Sequence, residues 1–247
     1  MSIQSSPPQP RVPDGTRVYA VGDVHGQSAL LDDLLGLIAA DAGRRPAERM
    51  VVVFVGDYVD RGAGVRTVLD RLVAGPPPGP LAAAEWITLR GNHEDYLLRF
   101  LGDPGVLHPW LANGGTDTLK AYMGEIGVLL DDPEELQRQF YRALPAQHLR
   151  FLTSLPLSWT EGDYVFVHAG LRPGVPFDRQ DEADLMWIRD DFLYCEADHG
   201  HVVVHGHTVV PRPELRPNRI AIDTGAYRTG HLTCLVLEGT ERRFLST

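Results

Sequence analysis

The chain has 247 residues, 43% of them hydrophobic and 23% charged, which fits one large α/β domain or two small ones and excludes collagen or disorder over most of its length. Its formal net charge of −10 argues against a duplex-binding surface, which would show as a basic excess. The apolar stretch Leu30–Ala40 is broken by Asp32 and Asp33 and so is no membrane span.

Residues 1–15 are rich in Ser, Pro and Gln and are expected to form a mobile tail ahead of a single domain over 16–247. They lack a basic segment followed by an apolar one, so no secretory signal is read and a cytoplasmic location is expected. Val18–Val21 reads as a short buried strand, followed by a Gly-rich turn and by Ala29–Ala40 with apolar residues at helical spacing. Met50–Val55 is a continuous Val-rich run, typical of a strand covered on both faces. A helix is predicted over Val65–Val73, a loop over Gly75–Pro80, a third strand over Trp86–Leu89 and a helix through Glu94–Leu101. Residues 108–154 look mostly helical, with breaks at Pro133 and Pro145 and Asp132 as a cap, and are expected to cover the site. Strands follow at Leu157–Thr160, Val165–Val167, Val202–Val204, Ile220–Ile222 and Thr233–Leu237. The pattern predicts an α/β (α+β) fold of two packed sheets flanked by helices. Cys195 and Cys234 lack metal-type spacing and are expected to be free thiols.

Five short polar motifs follow apolar strands: Gly22-Asp23-Val24-His25-Gly26, Gly56-Asp57-Tyr58-Val59-Asp60-Arg61-Gly62, Gly91-Asn92-His93-Glu94, His168-Ala169-Gly170 and Gly206-His207-Thr208. Ligands of α/β proteins converge at the carboxyl ends of strands, and flanking glycines permit close backbone approach. Asp, His and Asn suit divalent ions of intermediate hardness such as Mn, Fe or Zn, and the absence of Cys argues against a thiolate structural zinc. Any one of these motifs alone is an ordinary turn; the five together, each offering a nitrogen or oxygen ligand, make a site.

In this order the motifs resemble the calcineurin-like metallophosphoesterase superfamily, over nearly the whole span from Arg17 to Leu237. The segments GDYVDRG and GNHE resemble its phosphoprotein phosphatase branch, of bacterial and phage type. The resemblance implies a β-sandwich core flanked by helices and a two-metal hydrolase site, with Mn²⁺ the expected ion. Carried over, Asp23 and His25 bind the first ion, Asp57 bridges, and Asn92, His168 and His207 complete the second. Two ions sharing a water lower its pKa and ready it for direct in-line attack on phosphorus. His93 is then the general acid, held and charged by Asp60, and Arg61 clamps phosphate oxygens. Met186-Trp187-Ile188-Arg189-Asp190 resembles a Trp-x-Arg segment of the bacterial members, which makes Arg189 a second clamp. The ions and both arginines would turn the pocket positive within an acidic chain. His205 is read either as a partner behind a ligand or as a core histidine, and Asp223 as structural support.

The functional expectation is a serine/threonine protein phosphatase acting on phosphoprotein or phosphopeptide, with small phosphomonoesters as further substrates and neither nucleic acid nor membrane as a partner. A symmetrical dinucleoside tetraphosphate hydrolase of the same superfamily is the alternative. Glu94, where such hydrolases usually carry Asp, and the acidic Asp60 are the residues that favour the phosphatase. A scaffold with a decayed site predicts a missing ligand, and none is missing; a DNA phosphodiesterase is disfavoured by the negative charge.

Overall fold

The computed structural model describes residues 9–247. Strands and helices alternate through the first part: β1 (Thr16–Val21), α1 (Ser28–Arg44), β2 (Arg49–Phe54), α2 (Val65–Ala74), β3 (Glu85–Thr88) and α3 (Asn92–Gly102). A helical layer follows, α4 (Leu107–Ala112), α5 (Gly115–Met123), α6 (Pro133–Ala143) and α7 (Ala146–Ser154). The remainder is β4 (Ser158–Glu161), β5 (Tyr164–Val167), α8 (Glu182–Trp187), α9 (Asp190–Leu193), β6 (Val202–His205), β7 (Glu214–Leu215), β8 (Arg219–Ala221), α10 (Ala226–Thr229), β9 (Thr233–Glu238) and β10 (Glu241–Ser246).

The strands form two five-stranded mixed sheets, ordered β10-β9-β1-β2-β3 and β4-β5-β6-β8-β7. In the first, β1, β2 and β3 run parallel and β9 and β10 join by antiparallel pairing on one side; in the second, β5, β6 and β8 run parallel and the edge strands β4 and β7 pair antiparallel. Side chains alternate across a strand, so Val18, Ala20, Val51 and Val53 enter the core between the sheets, meeting Phe166, Val204, Ile220 and Leu235. Their neighbours Tyr19, Val21, Val52 and Phe54 face the other way, onto Leu31, Leu34, Ile38, Leu97 and Phe100 of the helices. Both faces are covered, which is why Met50–Val55 carries no polar alternation. The second sheet's outer face, Val165, Val167 and Val203, lies under Leu185 and Phe192 of α8 and α9. This is the fold of two sheets flanked by helices that the sequence predicts. Among the described residues no helix is long and apolar enough to cross a membrane.

Local signals behave as their chemistry requires. The Asp132 side chain accepts from Glu135 N at 3.0 Å ahead of Pro133, the first residue of α6. Cys195 and Cys234 are free. Two departures stand out. The segment 9–15 is not the mobile tail expected: Val12 is fully buried, Val12 N donates to Gly239 O at 3.0 Å, and Asp163 N donates to Arg11 O at 2.9 Å. One apolar residue among prolines and charges has no period to announce it. Residues 1–8 of the expected tail lie outside the described residues. The other departure is β10, which the sequence reading misses because Arg242 and Arg243 break the apolar pattern; charged residues are common on edge strands.

Candidate active site and metal centre

The loops after β1, β2, β3, β5 and β6 meet at one end of the sheets. Val24 N and His25 N both donate to Asp57 O, at 3.1 and 2.8 Å, so the first two motif loops are joined through their main chains. Among the described residues only five non-glycines have positive φ, and all five lie in the motifs: His25, Asp57, Asp60, Arg61 and His207, with φ from 45° to 68°. Each such conformation costs about 1–3 kcal/mol and persists only where its surroundings enforce it. One enforcer is Glu94, which is fully buried. Its carboxylate accepts from the amides of Asp57 (2.9 Å), Tyr58 (2.8 Å), Val59 (3.2 Å) and Gly91 (2.9 Å). Burial and the neighbouring Asp57 charge push the Glu94 carboxyl up to about 7 against the pull of these amides. Close approach explains two glycines: a Cβ at Gly91 would lie 2.2 Å from Asp57 Oδ1, and one at Gly206 would lie 1.9 Å from Asp23 Oδ1.

Two groups of potential ligand atoms share Asp57. One is His25, Asp57 and His93; the other is Asp57, His168 and His207; all five residues are buried and the ligand atoms within each group lie within 4.8 Å of one another. His25 Nδ1 donates to Val59 O and His168 Nδ1 to Val55 O, each at 2.9 Å, which leaves both Nε2 atoms with lone pairs facing the centre. His25 Nε2 is 3.5 Å from Asp57 Oδ2, and His168 Nε2 is 3.4 Å from Asp57 Oδ1. Asn92 Oδ1 lies between His168 Nε2 (2.9 Å) and His207 Nδ1 (2.8 Å). Asp23 falls outside both groups; its Oδ2 accepts from His207 N at 3.0 Å. Its Oδ1 and the Nε2 of His207 are buried without a partner. Orphaned buried acceptors are rare and call for an explanation. A shared carboxylate, imidazole lone pairs and an amide oxygen fit a pair of divalent ions, and the orphans fall among these donors.

Electrostatics separates the groups. Burial drives His25 down to about 3 and His207 down to about 2, so both are neutral, as ligands must be. Burial, with the charges of Asp223 and Asp57, raises the Asp23 carboxyl. Burial also opposes ionisation of Asp57, but His168 and His93 win and hold it well below the usual range. His93 and His168 shift the other way: burial disfavours each cation, yet Asp57, with Asp60 beside His93 and Glu94 near His168, raises both above the usual histidine value. His93 Nδ1 is 2.6 Å from Asp60 Oδ2 and its Nε2 is 3.8 Å from Asp57 Oδ2. What sets His93 apart is geometry: a carboxylate holds its Nδ1 while its Nε2 faces the centre, the arrangement of a proton donor.

The remaining candidates are placed as follows. Arg61 Nη1 is 3.2 Å from His25 Nε2, and its guanidinium lies 4.9 Å from the centre of the Tyr227 ring. Arg189 is exposed at the start of α9, close enough for its charge to bear on His207. His205 is a core histidine: it points to the outer face of the second sheet, 5.1 Å from Phe192, with Nδ1 3.1 Å from Gly206 O. Asp223 caps Gly225 N at 2.8 Å and acts on Asp23 through its charge. The sequence reading missed Trp110 and Thr118, both fully buried, whose side chains bond Asp60. No motif marks them; the Trp within a polar helical stretch is the only trace.

A family model described as calcineurin-like phosphoesterase matches residues 16–229. The chain belongs to that family. As a calcineurin-like phosphoesterase it is similar to a symmetrical bis(5′-nucleosyl)-tetraphosphatase of Dechloromonas aromatica, 33% identical over 155 residues, which make up 63% of this chain and 44% of that protein. The chain thus spans less than half the length of this relative. It is also similar to PrpE, an asymmetrical bis(5′-nucleosyl)-tetraphosphatase of Bacillus velezensis, 27% identical over 234 residues and 86% of each chain. A crystal structure provisionally named a diadenosine tetraphosphatase superposes with a TM-score of 0.64 at 22% identity, covering 97% of this chain and 98% of the other, a likeness of fold.

These relatives overturn the serine/threonine phosphoprotein phosphatase expectation, and with it phosphoprotein or phosphopeptide as the partner. The structure shows why the two deciding residues misled. Glu94 is spent on four backbone amides and presents nothing to a substrate, so Glu or Asp there says little about the leaving group. Asp60 touches His93, Trp110 and Thr118 and reads no substrate either.

Proposed function

We propose that this calcineurin-like phosphoesterase hydrolyses a phosphoanhydride bond of bis(5′-nucleosyl) tetraphosphates. The observation that carries the reading is the Bacillus velezensis relative named for that activity, aligned over 86% of both chains. The site's chemistry supports it. Asp23, His25 and Asp57 would hold one ion, and Asp57, Asn92, His168 and His207 the other, with Mn²⁺ suited to this mixed donor set. When bound, such a pair supplies Lewis acidity toward phosphoryl oxygens and acidifies water.

The chain's own residues do the rest. As a water oxygen bonds to phosphorus and loses its proton to solvent, the anhydride P–O bond breaks; His93 would give its Nε2 proton to the departing polyphosphate oxygen, while Asp60 holds the ring through Nδ1. Arg61 Nη1 now faces His25 Nε2; with that nitrogen holding an ion, the planar guanidinium would be free to clamp non-bridging oxygens. Arg189 approaches from the His207 side. Half-buried aromatic rings flank the ligands, Tyr227 at 5.4 Å from His25 and Trp187 at 6.5 Å from His207. One ring beside each ligand group suits a substrate with a nucleobase at either end.

The test is direct. The Mn²⁺-loaded protein is incubated with diadenosine tetraphosphate or with a phosphoserine peptide, and the products are separated by chromatography. Two ADP mark cleavage at the centre, and ATP with AMP mark cleavage off-centre. The dinucleotide should be preferred in kcat/KM by roughly 100-fold or more. Equal or faster release of phosphate from the peptide would overturn the proposal.

A further inference from the structure

The helical layer between β3 and β4 supplies none of the ligand candidates, yet one corner of it grips the residues next to the centre. Asp60 and Arg61 are consecutive and both left-handed, with φ 68° and 61°. Nothing in their own sequence holds them there. The Thr118 hydroxyl on α5 does two things at once: it accepts from Asp60 N at 2.9 Å and donates to Asp60 Oδ1 at 2.5 Å. Trp110 on α4 donates its indole N–H to Asp60 Oδ2 at 2.9 Å, the same oxygen that faces His93 Nδ1 at 2.6 Å. Between the two helices, Gly114 O accepts from Arg61 N and Asn113 O from Arg61 Nε, each at 3.3 Å. Gly114 has φ 106°, and a Cβ there would lie 2.7 Å from Arg61 Cγ.

We infer that the α4–α5 corner, from Trp110 to Thr118, is a positioning device for the acid and the clamp, with Trp110 and Thr118 as positioning residues for His93. Both oxygens of Asp60 are anchored by donors that cannot move: Trp110 and Thr118 are fully buried, and the Trp110 ring packs 5.2 Å from Phe100 and 5.8 Å from Phe140. The carboxylate therefore cannot rotate. The lone pair that remains on Oδ2 stays aimed at Nδ1 of His93, and the ring is fixed with Nε2 toward the reacting atoms. A buried Trp needs some acceptor for its N–H in any fold. Here the acceptor is the one oxygen that also orients the proton donor, so the effect of losing the N–H must depend on how much the leaving group needs a proton.

The inference rests on His93 as the proton donor and not on the identity of the natural substrate, so simple aryl phosphates test it. Phenolate leaves as a much stronger base than p-nitrophenolate and needs the proton more. Trp110→Phe keeps the ring and removes the N–H; Thr118→Val keeps the shape and removes the hydroxyl; Thr118→Ser restores the hydroxyl. In the Mn²⁺-loaded proteins, kcat on phenyl phosphate should fall about tenfold for Trp110→Phe and roughly ten- to hundredfold for Thr118→Val. On p-nitrophenyl phosphate the loss should stay within about threefold, KM should hold within about twofold, and Thr118→Ser should recover most of the rate. Bound Mn²⁺ per chain should be unchanged by elemental analysis. A second readout needs no turnover: in the diamagnetic Zn²⁺-loaded protein, the proton NMR signal of the His93 Nδ1–H, shifted downfield by its bond to Asp60, should move upfield in Trp110→Phe. His93→Asn runs alongside as the reference. If it discriminates between the two aryl phosphates while Trp110→Phe and Thr118→Val lower both rates equally, or neither, the positioning role is wrong. If His93→Asn does not discriminate, the proton-donor assignment falls and the positioning role falls with it.

Discussion

His25, Asp57 and His207 stand on strand-end loops with left-handed backbone, and their ring nitrogens and carboxylate oxygens turn toward one another. Trp110, Thr118 and Tyr122 stand on ordinary helices of the neighbouring layer, and each uses its one polar atom on a single partner behind the site. The loops carry strain and concentrated charge; the helices carry packing and isolated hydrogen bonds. Strain of this sort needs an external hold, and the helical layer provides it for Asp60 and Arg61, as Glu94 does for Asp57. A loop residue should thus be costly in activity and a layer residue costly in stability, with Trp110 and Thr118 at the boundary between the two.

The largest effect is expected at Asp57, the carboxylate common to both ligand groups. Asp57→Asn should reduce bound Mn²⁺ from two ions per chain to fewer than one and lower kcat on the order of 10³-fold. Asp23→Asn should chiefly lose one ion; elemental analysis after gel filtration reads both, and two ions retained in Asp57→Asn would end the bridging assignment. Next comes Glu94→Gln, which gives four amide donors a half-donor in place of a carboxylate. A stability loss of about 2–4 kcal/mol is expected in urea, with disturbance of the Asp57 loop. A neutral result would show that the loop keeps its conformation unaided. The smallest effect belongs to Tyr122→Phe. Tyr122 lies one turn after Thr118 on α5; its hydroxyl is 2.7 Å from Nδ1 of the fully buried His148, whose Nε2 is 2.9 Å from Asp70 Oδ1 on α2. About 1 kcal/mol of stability should be lost while kcat stays within about twofold. A large loss of rate with stability intact would erase the division between loops and layer.

How far the sequence revealed this site follows the same division. The convergence of the motif loops was legible because their chemistry is local: an apolar strand, a glycine and a polar residue stand within a few positions of one another, as in Val53-Phe54-Val55-Gly56-Asp57. The two-sheet fold was legible for a similar reason, since Met50–Val55 and Val202–Val204 are apolar on both faces. The holds on Asp60 were not legible. Trp110 and Thr118 are 50 and 58 residues away in the chain, and only the packing of α4 and α5 brings them to it. Glu94 was seen and given the wrong meaning, because sequence places it in a motif without showing that its oxygens face the backbone. Val12 and β10 were missed because one lies among prolines and the other carries charge on a sheet edge.

Val12 and its neighbour Arg11 have a mechanical consequence. Their main-chain groups reach Gly239, in the turn between β9 and β10, and Asp163, between β4 and β5, so a single extended segment is hydrogen-bonded to both sheets. Both attachment points lie at the end of the sandwich away from the ligand loops. Side-chain packing alone would let the sheets slide or splay, since dispersion contacts between apolar faces have no direction. Peptide groups at 2.9 and 3.0 Å do have direction. Breathing between the sheets is thereby restrained at the far end, as it is at the near end by His168 Nδ1 donating to Val55 O and His207 N donating to Asp23 Oδ2, so the loops that carry the site are held against movement from both ends.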